Sequence, residues 1–411
     1  KKRCSPTVMS ETHIAYGTRP FYALLLCLFL AGFAVFSSLY CVQPMMPLFA
    51  QFFQVSPTHS SFPLSFSTIA LAVGLLFAGL ISDRYGRKQI MVVSLFSTAI
   101  LLILSSRFPL WEIFLLSRIC IGLAISGVAS VAMTYIGEEV AAQDVGFAMG
   151  LYISGTAIGG MSGRLIAGVL IEVIPWQTAM LMIGILNLTI ALIFYLTLPN
   201  SKHFKAYPIR LDRFMQSFIK NVQDLKLRLL FAQGFILMGC FVTVFNYMSY
   251  HLLEAPFTLS QAWIGLISIA YLSGIYSSPR AASWSNRFGR GRVLVAMLCM
   301  MMLGLWLMLI PILAVVLIGL VIFTFSFFAA HSTSSSWVSV QALQYRAVGS
   351  ALYLFCYYLG SSVLGSGSGL IWEAFGWQGL ILSINLILVL GMAIALKLSH
   401  MPNDSVNSGI N

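Results

Sequence analysis

Uncharged apolar runs of about twenty residues recur along this chain and decide what it can fold into. Segments 21–41, 176–198 and 293–310 hold no Asp, Glu, Lys or Arg, and each reaches or approaches the ~20 residues a helix needs to cross a ~30 Å hydrocarbon core. Only 9% of the 411 residues are charged and 59% are hydrophobic. A soluble domain has roughly a quarter of its residues charged, so a water-soluble fold is excluded. The basic start, Lys1, Lys2 and Arg3, precedes an apolar stretch too long for a signal-peptide core, and further spans follow it. Opening on Lys1 rather than Met, the chain is expected to be trimmed at its start.

Twelve crossings are expected, at 21–42, 62–82, 90–106, 110–136, 145–171, 176–198, 229–253, 261–280, 292–310, 312–337, 348–372 and 377–397. The fold class is therefore an all-α membrane protein. The net charge of +11 could point to nucleic acid, but the cations sort by side of the membrane instead. Four lie in the tail 1–20, three near 85, seven between 202 and 228 and four near 288; with Arg346 and Lys397 they make twenty of the 23. Arg107 alone falls opposite, and Arg118 and Arg164 fall inside spans. Lys and Arg collect on the cytoplasmic side of membrane proteins, which places both termini in the cytoplasm. No nucleic-acid partner is expected.

The polar stretch 199–228, with Arg210, Arg213, Phe214, Phe218 and Lys220, reads as a cytoplasmic linker holding an interfacial amphipathic helix. It divides a bundle at 21–198 from a bundle at 229–397, with a cytoplasmic tail at 398–411. An internal repeat supports the division. Arg84-Tyr85-Gly86-Arg87 returns as Arg287-Phe288-Gly289-Arg290, and Gly168 with Trp176-Gln177 returns as Gly369 with Trp377-Gln378. Two six-helix bundles related by duplication follow. The seven Cys are scattered without CxxC spacing and read as buried, inert thiols, with no metal site.

Three stretches carry more than topology. In 79–88, Gly79, Asp83, Arg84, Gly86, Arg87 and Lys88 occupy the turn between the second and third spans. Gly86 permits a tight turn, Asp83 can face a helix N-terminus, and Arg87 and Lys88 hold the cytoplasmic side. The repeat has Asn286 at the Asp position. In the fourth span, Arg118 is followed by Gly122, Ser126, Ser130 and Thr134 at four-residue steps, which puts small and polar groups on one helix face beneath a cation. In the fifth, Gly155, Gly159, Gly163 and Ala167 form a stripe that lets another backbone come close, and Arg164 lies beside it.

In this order the three stretches resemble motifs A, B and C of the major facilitator superfamily, with Thr156 standing where motif C has Pro. Residues 149–168 and 357–366 are similar to bacterial inner-membrane transporters of the drug:proton antiporter and arabinose-efflux-like branch. The resemblance implies twelve helices in two pseudo-symmetric bundles, alternating access and export driven by proton entry. It also implies that Asp83 locks onto the start of the eleventh span, 347–351, while Arg87 pairs with Glu138, Glu139 or Asp144. No cofactor is implied beyond the proton gradient. The partners are a small-molecule substrate, protons and the lipid bilayer, and a monomer is expected.

None of the twelve acids falls in the middle of a span, and a cavity without carboxylates is a poor trap for cations. Arg118 and Arg164 each lie about seven residues from the outer ends of their spans, ~10 Å deep at 1.5 Å per residue. Neutral or anionic amphipathic solutes are therefore expected over permanent cations. With no embedded acid, His331 is the clearest proton carrier; Asp83 and Glu138 at the inner gate, or Glu254 and His251 at the outer one, are alternatives. Tyr40, Gln43, Arg118, Asn246, Tyr247, Tyr250 and Tyr357 are candidate cavity walls, since rings with polar tips suit amphipathic ligands. Without a GxxxxGK[ST] loop an ATP-driven pump finds no support. An importer shares every feature but the glycine stripe, and an integral membrane enzyme would need a catalytic cluster that the sequence lacks.

Overall fold

The computed structural model describes residues 13–204, 206, 208 and 210–401, so residues 1–12 and 402–411 of the two expected tails lie outside the described residues. Apart from one parallel bridge between Ile14 and Val140, every regular element described is helical. The first half comprises α1 (Arg19–Tyr40), α2 (Met46–Phe53), α3 (Pro57–Ser60), α4 (Phe62–Tyr85), α5 (Arg87–Ser105), α6 (Trp111–Glu139), α7 (Val145–Val173) and α8 (Trp176–Thr197). Helix α9 (Leu211–Gln223) follows in the linker. The second half comprises α10 (Leu225–Leu253), α11 (Gln261–Leu266), α12 (Tyr271–Phe288), α13 (Arg290–Leu307), α14 (Leu313–Gln341) and α15 (Arg346–His400).

Ten of these helices are long and apolar enough to cross a membrane. Helix α15 counts as two crossings, because Gly376 leaves helical backbone (φ 61°, ψ −157°) and separates arms at 346–375 and 377–400. The eighth crossing is not a single helix of that length. It was expected as one span at 261–280, but it is broken into α11, a 3-10 turn at Ile267–Ala270 and α12, and α12 carries Pro279 and Arg280. Counting these gives the twelve crossings the sequence predicts. Helices α2 and α3 were not expected; α1 stops at Tyr40, and Pro47 and Pro57 start the short helices instead.

Backbone contact explains the glycine stripe. A Cβ on Gly155, Gly159 or Gly163 of α7 would sit 2.4 Å from Phe29 O, 2.5 Å from Phe33 O or 2.7 Å from Ser37 Cα of α1. No side chain fits there, so α1 and α7 pack main chain to main chain. Gly360 on the first arm of α15 packs on Phe235 of α10 in the same way, since a Cβ there would collide with the Phe235 carbonyl oxygen. The outward faces are apolar and exposed, as at Val93, Leu116, Leu196, Leu370 and Leu386, and lipid supplies the cover that water cannot.

Candidate functional site

The two halves are joined unevenly. Call the end carrying residues 84–88 and 287–292 the basic end, and the other the far end. Every hydrogen bond between the halves among the described residues lies toward the far end. Ser61 and Ser65 of the first half share Ser366 Oγ at 2.6 and 2.5 Å, and Thr68 Oγ1 meets Ser362 Oγ at 2.6 Å. Ser362 Oγ also donates to Ser65 O at 2.9 Å. Closer to the surface, Ser60 meets the Tyr250 hydroxyl at 2.7 Å, and Thr58 Oγ1 donates to Glu373 Oε1 at 2.6 Å. Gly168 of α7 packs on Gly265 of α11, where a Cβ would fall 2.6 Å from the glycine Cα. That contact accounts for the break in the eighth crossing, since a 3-10 turn after α11 brings its backbone against α7.

This ladder of hydroxyls was not foreseen. Its signal was present as Ser61, Ser65 and Thr68 at helical spacing, with Ser362 and Ser366 four apart, small polar groups on one face of apolar helices. The structure places several expected cavity residues in the same seal. Gln43 Nε2 donates to Asn246 Oδ1 at 2.6 Å, and Asn246 Nδ2 donates to Gly365 O at 3.1 Å. Tyr247 is fully buried against Trp372, and Tyr250 closes on Ser60. His251 stacks on Trp377 with ring centroids 4.4 Å apart.

At the basic end, no hydrogen bond or ion pair joins residues 83–88 to 346–351 among the described residues. The expected contact from Asp83 to the start of the eleventh span is not made here. Gly86, at φ 100°, turns the chain and directs Arg87 inward, where its Nη1 donates to Asp83 Oδ1 at 2.5 Å and to Ser82 Oγ at 2.6 Å. Its Nη2 donates to Glu138 Oε1 at 2.8 Å. Of the three acids considered, Arg87 meets Glu138. Glu139 is instead buried under His203, which donates to it from its backbone N at 3.0 Å, and Asp144 accepts from Tyr16 N at 2.8 Å. Lys88 Nζ donates to Leu198 O at 2.6 Å, and Arg84 lies 5.5 Å over the Tyr85 ring. Gly79 faces Ser130, whose hydroxyl would lie 3.4 Å from a Cβ at this position.

Arg118 does not line a cavity. Fully buried, it donates to Ser38 O at 3.2 Å, Leu39 O at 3.1 Å and Pro63 O at 3.3 Å. The first two are last-turn carbonyls of α1, which lack helical partners and lie at the negative end of its dipole. The cation therefore staples α1, α4 and α6 together. Gly122, one turn on, lets Ser67 O approach to 2.1 Å of where a Cβ would be, so the small face of α6 packs on α4.

Arg164 sits at the seam of the halves. Its Nε donates to Gln43 Oε1 and its Nη1 to Gly160 O at 2.6 Å. Aromatic rings cover it, with Tyr40 at 4.0 Å, Tyr271 at 4.8 Å and Phe245 at 5.6 Å from its guanidinium carbon. Nη2 is buried with no partner among the described residues. His331, partly buried on α14, contacts the Tyr353 hydroxyl through Nδ1 at 3.0 Å and lies 4.5 Å from the Tyr357 ring. Among the described residues the arginine and the histidine have no carboxylate within ion-pair distance.

Two bundles of six crossings, bonded to each other at one end and meeting over a buried arginine, define a helical membrane transporter. The chain belongs to the Major Facilitator Superfamily, whose family model matches residues 28–365. It is 45% identical to the inner membrane transport protein YnfM of Escherichia coli (strain K12), over 94% of this chain and 92% of that one. It is 40% identical to the uncharacterized MFS-type transporter YybF of Bacillus subtilis (strain 168), over 97% and 100%. Among solved structures, the nucleoside transporter NupG superposes with a TM-score of 0.77 at 14% identity, covering 93% of this chain and all of that one. An inward-facing bacterial homologue of the lysosomal transporter Spinster gives 0.75 at 14%, covering 93% and 97%. The protein is a secondary transporter of this type.

Proposed function

We propose that the chain exports small neutral or anionic amphipathic solutes in exchange for protons, across the inner membrane of a bacterium. One observation carries the solute class. The seam between the halves holds a buried Arg164 without a carboxylate, so a permanent cation would meet repulsion there and find no counter-ion.

In this reading the basic end faces the cytoplasm, as the distribution of Lys and Arg favours. The far-end seal and the unbridged basic end then correspond to an inward-facing state that admits solute from the cytoplasm. Rocking of the halves opens the serine ladder and closes the basic end, where Asp83 would leave Arg87 for the start of α15. The glycine contacts between α1 and α7 support export through the likeness of this stripe to motif C. The same reading assigns the proton to His331, and the Tyr353 hydroxyl 3.0 Å from its Nδ1 supports that as a hydrogen-bond partner for the ring.

The test is reconstitution of the purified chain in proteoliposomes with an imposed pH gradient and a panel of neutral, anionic and cationic solutes. Expected is proton-linked movement of neutral or anionic solutes against the direction of proton flow. Tighter binding of ethidium-like cations, or co-directional flux of proton and solute, would overturn it. Full proton coupling in His331→Ala and His331→Gln would remove the histidine from the mechanism.

A further inference from the structure

A buried guanidinium normally has every donor engaged, because an unpaired buried charge costs several kcal/mol. Arg164 departs from this. Two of its three nitrogens are tied to Gln43 and Gly160, the tyrosines cover its surface, and Nη2 is left without an acceptor among the described residues. A small pocket lies against this residue in the seam, lined by Gln43, Phe245, Ser249, Gly265 and Ser268 besides Arg164 itself. Ser249 and Ser268 are both buried, and neither hydroxyl makes a hydrogen bond among the described residues. Uncommitted donors from α7, α10 and the turn after α11 thus converge on one space, with no anion of the described chain to answer them.

We propose that Arg164, Ser249 and Ser268 form a single-anion site that takes the carboxylate head of the transported solute. Phe245 and Met248, which line the same pocket, receive the start of the apolar body. One free amino group and two hydroxyls suit a monoanion, whereas a dianion would need a second cation that the seam does not supply. With rings over its surface, the guanidinium accepts a partner only in its own plane, and a flat carboxylate fits that edge. Residues of both halves build the site, so the occupant bears on the seal itself. A bound head would tie α7 to α10 and α11, and its arrival or departure would bias the movement that opens the far end. The site rests on the transport reading and narrows its solute class to monocarboxylates.

The experiment measures binding of radiolabelled benzoate to the full chain in lipid nanodiscs at neutral pH, with benzyl alcohol, benzylamine and chloride as competitors. Benzoate is expected to bind, and the neutral and cationic analogues to compete at least tenfold less well. Arg164→Gln should weaken benzoate about 30-fold, the range of a hydrogen bond to a charged group. Because removing a buried charge can unsettle folding, the Ser249→Ala/Ser268→Ala pair reads the same site without touching it, and a loss of about fivefold is expected. Unchanged benzoate affinity in that pair, or in a folded Arg164→Gln protein, overturns the proposal. So does displacement by chloride as effective as by unlabelled benzoate, which would make this a halide site. Arg164-dependent benzoate binding without pH-driven flux would refute the exchange reading and leave the site standing. Proton-driven flux of neutral solutes with no benzoate binding would do the reverse.

Discussion

The turn at 83–88 and its repeat at 286–292 have nearly the same backbone and opposite electrostatics. Gly86 (φ 100°, ψ 146°) and Gly289 (φ 88°, ψ 140°) turn the chain alike, and each starts a helix at an arginine. In the first half that arginine is Arg87, with only 6% of its surface exposed, held between Asp83 and Glu138. In the second it is Arg290, whose Nε finds no partner among the described residues. Asn286 stands where Asp83 would, and Gln341 at the end of α14 donates to Asp224 instead, at 3.0 Å. The comparison teaches that duplication carried over the steric part of the motif, the positive-φ glycine, while the ion network belongs to one half. A turn has to be made in both halves; the ion pairs are made in one.

Replacing Arg87 with Ala should break this comparison most visibly. It strands a half-buried Glu138 and leaves Asp83 unpaired, so the expected loss is about 2 kcal/mol, read as a lower melting temperature in detergent. Arg290→Ala, measured beside it, should cost less than about 0.5 kcal/mol; equal losses would mean that the ion network contributes nothing. Glu138→Gln removes one of two acids and should cost about 1 kcal/mol. Asn286→Asp would sharpen the contrast from the other side. It places an acid four residues before Arg290, as Asp83 lies before Arg87, and should raise stability by about 0.3–0.5 kcal/mol at low salt, an increment that added salt should erase. Smallest in stability is Asp83→Asn, since Arg87 keeps Glu138; a shift of less than about 0.5 kcal/mol is expected. On the proposed role it should nonetheless slow solute exchange in proteoliposomes, and an unaltered rate would take Asp83 out of the gate.

Much of the fold is legible because the bilayer imposes one length scale. Segments such as 21–41 and 176–198 can only span, and the glycines of α7 announce close backbone approach wherever their partner lies. The eighth crossing shows where this reasoning thins. Its helix carries Ser277, Ser278, Pro279 and Arg280, and the break after α11 depends on Gly168, almost a hundred residues away in the chain. The site was read less well for a related reason. Arg118 and Arg164 look alike in sequence, both cations in apolar spans, yet one is consumed by the carbonyls that end α1 and the other keeps a free arm at the seam. Which carbonyls or rings surround a buried cation is a property of neighbouring helices. Likewise, Gln43, Asn246 and Tyr250 were recognised as polar groups facing inward, but only the packing of α10 against α15 and the α3 segment makes them a seal.

That seal is built from alcohols and amides in its deeper part, and its chemistry sets how it comes undone. A bond between two hydroxyls is worth about 0.5–1.5 kcal/mol net, and each oxygen can turn to a new neighbour without leaving a charge in an apolar medium. The rungs from Thr68 to Ser60 can therefore part in succession, like the teeth of a zip pulled from one end. On the proposed rocking of the halves, these rungs would part without leaving a buried ion unpaired.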